Sequence, residues 1–272
     1  MKKKMTLLAV VILLGAAGFV QAEEQAKERA LHGSIDVAYL SKYIWRGFEV
    51  YGSHGAIQPS INLDLFSTGF GIGIVEHEPI GSGYVNGRRM DYSLYYHNNI
   101  FEGEAYQTDY TLSYVYYNYP KLSSHTRASW DLQEINALLS WPKIIPGGLV
   151  PSYCIVKLWP SNSGSPVSEA SGWAHIFMLD YGWHIQGILP DTPEQVLNLH
   201  AEVVYNDGVD PRPFSRGVDH DWSNAVFGIS TNFDLGHNLT FTPGLWYQKA
   251  MDKSVCSHDD NFWVSLGVKY SF

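Results

Sequence analysis

From residue 33 onward the sequence alternates apolar and polar side chains in about twelve separate runs of eight to fourteen residues, and this period of two constrains the fold more than any other feature. The last run shows it most plainly. Its even positions are Phe262, Val264, Leu266, Val268, Tyr270 and Phe272, and its odd positions are Asn261, Trp263, Ser265, Gly267, Lys269 and Ser271. Such a segment is a strand with one oily face and one mostly polar face. The first run, Ser34 to Arg46, sets Ile35, Val37, Tyr39, Tyr43 and Trp45 against Asp36, Lys42 and Arg46. Between these two, runs are read at 56–66, 69–77, 89–97, 106–117, 130–141, 149–158, 173–183, 196–205, 222–233 and 238–247, of which 130–141 is the least regular.

A soluble sandwich or barrel could also bury one oily face, so the polar face decides between the alternatives. It carries Asp36, Lys42, Arg46, Asp64, Asp91, Asp109, Asp180, Glu202 and Lys269. Burying so many charges in a dry core would cost several kcal/mol each, on the order of the penalty for any unpaired ion. The polar face is therefore expected to be wet and the oily face to meet lipid. Closing the sheet removes the unpaired edges that hydrocarbon does not tolerate. The expected fold is all-β: a closed antiparallel transmembrane β-barrel of about twelve strands, covering residues 33–272. No window after the amino-terminal segment holds 18 uninterrupted apolar residues, which argues against helical spans.

The connections support the same reading. With the amino terminus in the periplasm, the even connections (67–68, 98–103, 143–148, 185–195 and 234–237) are mostly short. The odd ones, near 47–55, 78–88, 118–129, 159–172, 206–221 and 248–260, are longer and richer in Gly, Pro, Ser, His and charge. Short periplasmic turns and long outer loops are the habit of outer-membrane barrels. Two aromatic girdles are also expected. Tyr43, Trp45, Tyr114, Tyr116, Trp173, Tyr205, Tyr247 and Phe262 fall at outer ends, and Trp183, Phe233 and Phe272 at inner ends.

The amino terminus points to the compartment. Lys2 to Lys4 precede a short apolar stretch that ends at Gln21-Ala22, the form of a cleaved signal peptide over residues 1–22. Residues 23–32 follow as a polar leader. Removing three lysines and no acids takes the net charge from −9 to −12, so no basic patch is offered to nucleic acid. Together these place the chain in the outer membrane of a Gram-negative-type bacterium. Cys154 and Cys256 lie far apart, and two free thiols is the preferred reading over a bridge.

The closing segment resembles the C-terminal signature of bacterial outer-membrane barrels, which the barrel-assembly machinery reads, and Tyr270 and Phe272 carry it here. The run from Asp36 through Lys42-Tyr43-Ile44-Trp45-Arg46 to Gly47, followed by Ala56-Ile57-Gln58-Pro59, is similar to the first hairpin of the TorF-type porin family. That resemblance implies an outer-membrane barrel with a transport role and no particular substrate.

The functional expectation is an outer-membrane channel for passive diffusion of small solutes. Its candidate pore lining is the nine charges named above, six acids against three bases, giving a mildly cation-favouring field. A salt-bridged network that stiffens a barrel without a selective path weighs equally. Two other classes stay open: a lipid-acting barrel enzyme, and a plugged structural or adhesive barrel. For the enzyme, Ser41 and His175 face outward, but nothing marks them as partners and no G-x-S-x-G elbow occurs. Eleven histidines invite a metal, yet only Asp219-His220-Asp221 and His258-Asp259-Asp260 are locally acidic, and both read as solvated loops. Neither catalytic residues nor a metal or cofactor is expected. Partners are membrane lipid, the assembly machinery and small solutes.

Overall fold

The computed structural model describes residues 31–272 apart from 127, 168–169, 189–192, 213–216 and 255–259. The expected signal peptide, residues 23–30 of the expected leader, Cys256 and the pair His258-Asp259 lie outside the described residues. In chain order the strands are β1 (His32–Leu40), the short β2 (Ile44–Trp45) and β3 (Phe48–Glu49), β4 (Ala56–Asp64), β5 (Phe70–Pro79), β6 (Arg89–Ile100), β7 (Thr108–Asn118), β8 (Leu132–Ser140) and β9 (Leu149–Pro160). They continue as β10 (Gly172–Gln186), β11 (Glu194–Asp207), β12 (Asp221–Thr231), β13 (Phe233–Gly236), β14 (Leu239–Ala250) and β15 (Asn261–Ser271). A 3₁₀ turn (Ser82–Gly87) and one short helix, α1 (Pro120–Thr126), sit in two of the connections.

Among the described residues, twelve long antiparallel strands form a closed meander. Each long strand pairs with its sequence neighbour, β13 prolongs the line of β12 against β14, and β15 returns to β1. The seam is tied at the termini: Gly33 N donates to Phe272 O at 2.9 Å, and Phe272 N donates to Gly33 O at 3.0 Å. Cross-strand register there sets Asp36 opposite Lys269.

Period-two alternation places Ile35, Val37, Leu94, Leu112, Ile135, Phe177, Phe227 and Leu245 on the outside, all exposed. An apolar belt running round a closed sheet has no favourable surroundings in water and matches hydrocarbon. The barrel is an outer-membrane one. Connections at the mouth carrying the termini span 65–69, 101–107, 141–148, 187–193 and 237–238, whereas those at the other mouth span 41–55, 80–88, 119–131, 161–171, 208–220 and 251–260. The first mouth is accordingly periplasmic. Trp173, Tyr247 and Phe262 stand exposed toward the outer mouth, and Trp183 and Phe272 toward the inner one. The weakly patterned stretch at 130–158 forms β8 and β9, paired in register from Leu132↔Pro160 to Ser140↔Ser152.

The first run departs from expectation. It stops at Leu40, where Ser41 is held to β15 by reciprocal bonds with Val264: Ser41 N donates to Val264 O at 2.9 Å and Val264 N to Ser41 Oγ at 2.8 Å. The chain then turns into the lumen as the β2–β3 hairpin. Arg46 and Gly47 form its two-residue turn with φ of 54° and 87°, the doubly left-handed geometry whose twist suits a tight hairpin. Tyr43 and Trp45 are thus not girdle residues. Tyr43 is buried at 4% exposure inside the barrel and Trp45 packs beside it. The alternation misled because a hairpin folded inward keeps the same period of two as a strand facing lipid.

Candidate functional site in the barrel lumen

The inward faces of the strands build a lumen in two unlike parts. In the outer part, Arg46 Nη2 from the hairpin turn meets Glu134 Oε1 of β8 at 2.5 Å. Glu134 also accepts from Tyr117 Oη at 2.9 Å and from Asn136 Nδ2 at 2.8 Å. Close by, Arg89 of β6 grips Asp91 with Nε at 2.7 Å and Nη2 at 2.8 Å, and donates to Tyr43 Oη at 2.7 Å. Its guanidinium lies over three rings, 4.4 Å from the centroid of Trp45, 4.9 Å from Tyr117 and 5.7 Å from Tyr43. Cation–π contact and forked donation together explain why an arginine sits here at 1% exposure. His77 Nε2 donates to Asp91 Oδ2 at 2.8 Å while its Nδ1 accepts from Gln58 at 2.7 Å, which completes the acid's shell.

Further ties hold the hairpin. Lys42 Nζ reaches Asn261 Oδ1 at 2.6 Å and Glu49 at 3.4 Å, and Gln248 Nε2 donates to Gly47 O at 3.0 Å. Tyr51 Oη lies 3.0 Å from both His77 O and Gly87 O, donating to one at a time. Burial pushes its phenol well above the usual range, so it stays a neutral donor. Beside this network lies a dry cluster of Leu132, Val156, Leu158, Ala174, Ile176 and Val204 from the inner wall. Val167, Ala170 and Val209 of the outer loops pack onto it.

Toward the periplasm the wall is polar. Asp64 accepts from Tyr95 Oη at 2.9 Å, Asp109 from Gln107 at 3.0 Å, and Asp180 sits 2.7 Å from His200 Nδ1, whose Nε2 is 3.9 Å from Glu202. Asp36 accepts from Ser34 Oγ at 2.8 Å. A cavity of about 570 Å³ opens at this mouth, lined by His97, Asn99, Asp109, Thr111 and Ser140. A second, about 300 Å³, lies against the hairpin's inner side, bounded by Ile44, Arg46, Gly47, Glu202, Trp246 and Trp263. A third, about 420 Å³, lies on the hairpin's outer side against Trp45, Phe48 and Glu49. The hairpin therefore stands between two cavities. Trp246 shapes the middle one by closing over Gly228, its cross-strand partner, where a methyl group would come within 2.3 Å of the indole.

All nine sequence-picked charges face the lumen side of the sheet or its inward hairpin, but they fall into the two parts. Lys42, Arg46 and Asp91 belong to the packed outer network. Asp36, Asp64, Asp109, Asp180, Glu202 and Lys269 line the more open stretch. Sequence reasoning missed Glu134, Arg89 and His77, which anchor the network. For Arg89 a signal existed, since the i, i+2 relation puts it on the same face as Asp91. Ser41 and His175 sit on opposite walls, on β1's end and β10, and His175 Nδ1 pairs instead with Tyr153 Oη at 2.7 Å. No group of three or more metal-ligating side chains occurs among the described residues. Cys154 is a free thiol there, half-buried on the inner wall.

No protein-family profile matches this chain, and no curated protein matches it. Solved structures do. The NanC porin aligns with a TM-score of 0.51 at 10% identity over 89% of this chain and all of that one. The likeness is one of fold. An outer-membrane channel from Pseudomonas putida F1 aligns at a TM-score of 0.48 and 10% identity, covering 92% of this chain and 100% of that chain. The KdgM porin, in a structure described as a complex with disordered oligogalacturonate, aligns at 0.47 and 11% identity over 88% of this chain and 99% of its own.

Proposed function

We propose that this barrel is an outer-membrane channel for passive diffusion of small solutes, with the β2–β3 hairpin as its constriction. The observation that carries the reading is the position of the hairpin: a two-stranded element held by side chains, with a solute-sized cavity on each face and a polar wall leading from it to the periplasmic mouth. The strand wall itself is continuous, so passage depends only on side chains and loops. The fold shared with a porin is compatible with this. The first-hairpin residues Lys42 to Gly47 and Ala56 to Pro59 support placing the chain among TorF-type porins.

A mild preference for cations belongs to the same proposal. Asp36, Asp64, Asp109, Asp180 and Glu202 line the open stretch against Lys269, while Arg46 and Lys42 are neutralised by Glu134 and Glu49. Tyr270 and Phe272 are proposed as the assembly signal, since Phe272 closes the seam on Gly33; deleting Phe272 should lower the inserted amount far more than the conductance of barrels that do insert. The packed outer cluster favours a second reading, a plugged structural or adhesive barrel. Planar-bilayer currents under a KCl gradient, with liposome swelling in sugars of graded size, test both. Conductance with a cation-directed reversal potential is expected. No current and no sugar entry would establish the plugged barrel, and an anion-directed reversal potential would remove the charge preference. Release of fatty acid from phospholipid by the purified protein would overturn the channel reading in favour of an enzyme.

A further inference from the structure

We infer that the outer vestibule above the hairpin is a binding site for an uncharged saccharide of one or two rings. The vestibule is about 420 Å³, within the roughly 300–1,000 Å³ range of small-molecule sites. Phe48 and Tyr51 form its buried floor, at 4% and 1% exposure, and Trp45, Tyr84, Tyr119 and Trp130 stand half-buried as walls. Rings of this kind offer flat apolar faces to the C–H face of a sugar.

Hydrogen-bonding groups converge on the same space. Glu49 and Asn86 line it, the second exposed at its rim, and Arg212 closes one side with its guanidinium 5.1 Å from the Phe48 ring centroid. Charge decides against an ionic ligand. Arg212 is forked onto Asp210 with two contacts of 2.8 Å, and Glu49 is matched by Lys42 at 3.4 Å, so among the described lining residues neither sign is left in excess. A ring compound with an apolar face, a hydroxylated edge and no charge satisfies every wall. The cavity on the other side of the hairpin repeats the chemistry on a smaller scale. Trp246 and Trp263 stack there at 6.2 Å and 12°, and Trp246 Nε1 donates to Ser265 Oγ at 2.9 Å. The proposal rests on the channel reading for the sense of passage, but binding is separable from conduction.

The test is calorimetric titration of the full barrel in detergent with cellobiose, sodium glucuronate and indole, alongside bilayer currents with cellobiose added to the outer side. Expected is saturable millimolar binding of cellobiose, weaker binding of the other two, and a saturable drop in current. Tyr84→Ala and, as a milder change at the rim, Asn86→Ala should each weaken cellobiose binding about fivefold or more. A barrel that conducts but binds no cellobiose, or binds glucuronate or indole more tightly, overturns the saccharide site, as does unchanged binding in both variants. Cellobiose binding by a barrel that carries no current supports the site and overturns the channel reading alone.

Discussion

The two parts of the lumen obey opposite rules although the same strands build both. In the outer part Arg89 and Glu134 are 1% exposed, and charge is stabilised by pairing, forked hydrogen bonds and ring stacking, with Leu132, Leu158 and Val204 packed beside it as in a soluble core. In the inner part the carboxylates of Asp36, Asp64 and Asp180 are held by Ser34, Tyr95 and His200, and none of the three acids is buried. The contrast teaches that a polar inward face does not by itself describe a wet pore. What decides is whether loops and a hairpin fold back to cover it.

Breaking the outer network should have the largest effect. Glu134→Ala removes the buried carboxylate, strands the half-buried Arg46 and is expected to cost about 3–5 kcal/mol, on the order of breaking a buried pair. Urea unfolding in micelles reads this loss, and bilayer currents should show larger, noisier openings as the hairpin loosens. A mutant as stable and as quiet as the wild type would mean that the hairpin is held elsewhere. Leu158→Ala, at a site with 0% exposure, comes next at about 2–5 kcal/mol, because it leaves a cavity in the dry cluster. The same unfolding assay measures it, and selectivity should not move.

The inner part should respond in the other currency. Asp64→Asn is expected to change stability by under about 0.5 kcal/mol, in the range of surface substitutions, yet to shift the reversal potential in a KCl gradient toward zero. If stability fell as far as for Glu134→Ala, the two parts would not differ as described. Smallest is the effect of Asp260 in the last outer connection. It accepts from Tyr247 Oη at 2.7 Å, Lys249 Nζ at 2.9 Å and Ala250 N at 3.1 Å, which draw its carboxyl down to about 2. Because the folded value lies below the ordinary one, its contribution is present above the usual carboxylate range and fades as pH falls through about 2. Amide exchange at Ala250 should therefore stay slow at pH 4 and lose protection in Asp260→Asn, while the rest of the barrel is unchanged.

Strand number, alternation and the closing seam were legible in the sequence, because lipid on one side forces every outward position along a strand to be apolar and the pleat makes that a period of two. Even the irregular stretch from 130 to 158 proved to be two ordinary strands, its pattern blurred because Cys154, Val156 and Leu158 face inward into or toward the dry cluster and Leu138 lines the cavity at the periplasmic mouth. The inward hairpin was not legible. Lys42-Tyr43-Ile44-Trp45 continues the alternation of β1, and the only local mark of the turn is Arg46-Gly47 with its left-handed backbone.

The sequence by itself determined a closed barrel of about twelve strands and, outside the inward hairpin, which face of each strand looks inward, since both follow from local periodicity and short-range turns. Only the tertiary structure decided that the outer lumen is packed, because Arg46 meets Glu134 and Arg89 meets Tyr43 across 88 and 46 residues of chain. Such pairings depend on closure of the barrel, which brings β6 and β8 to the turn that follows β1, and no window of sequence contains them.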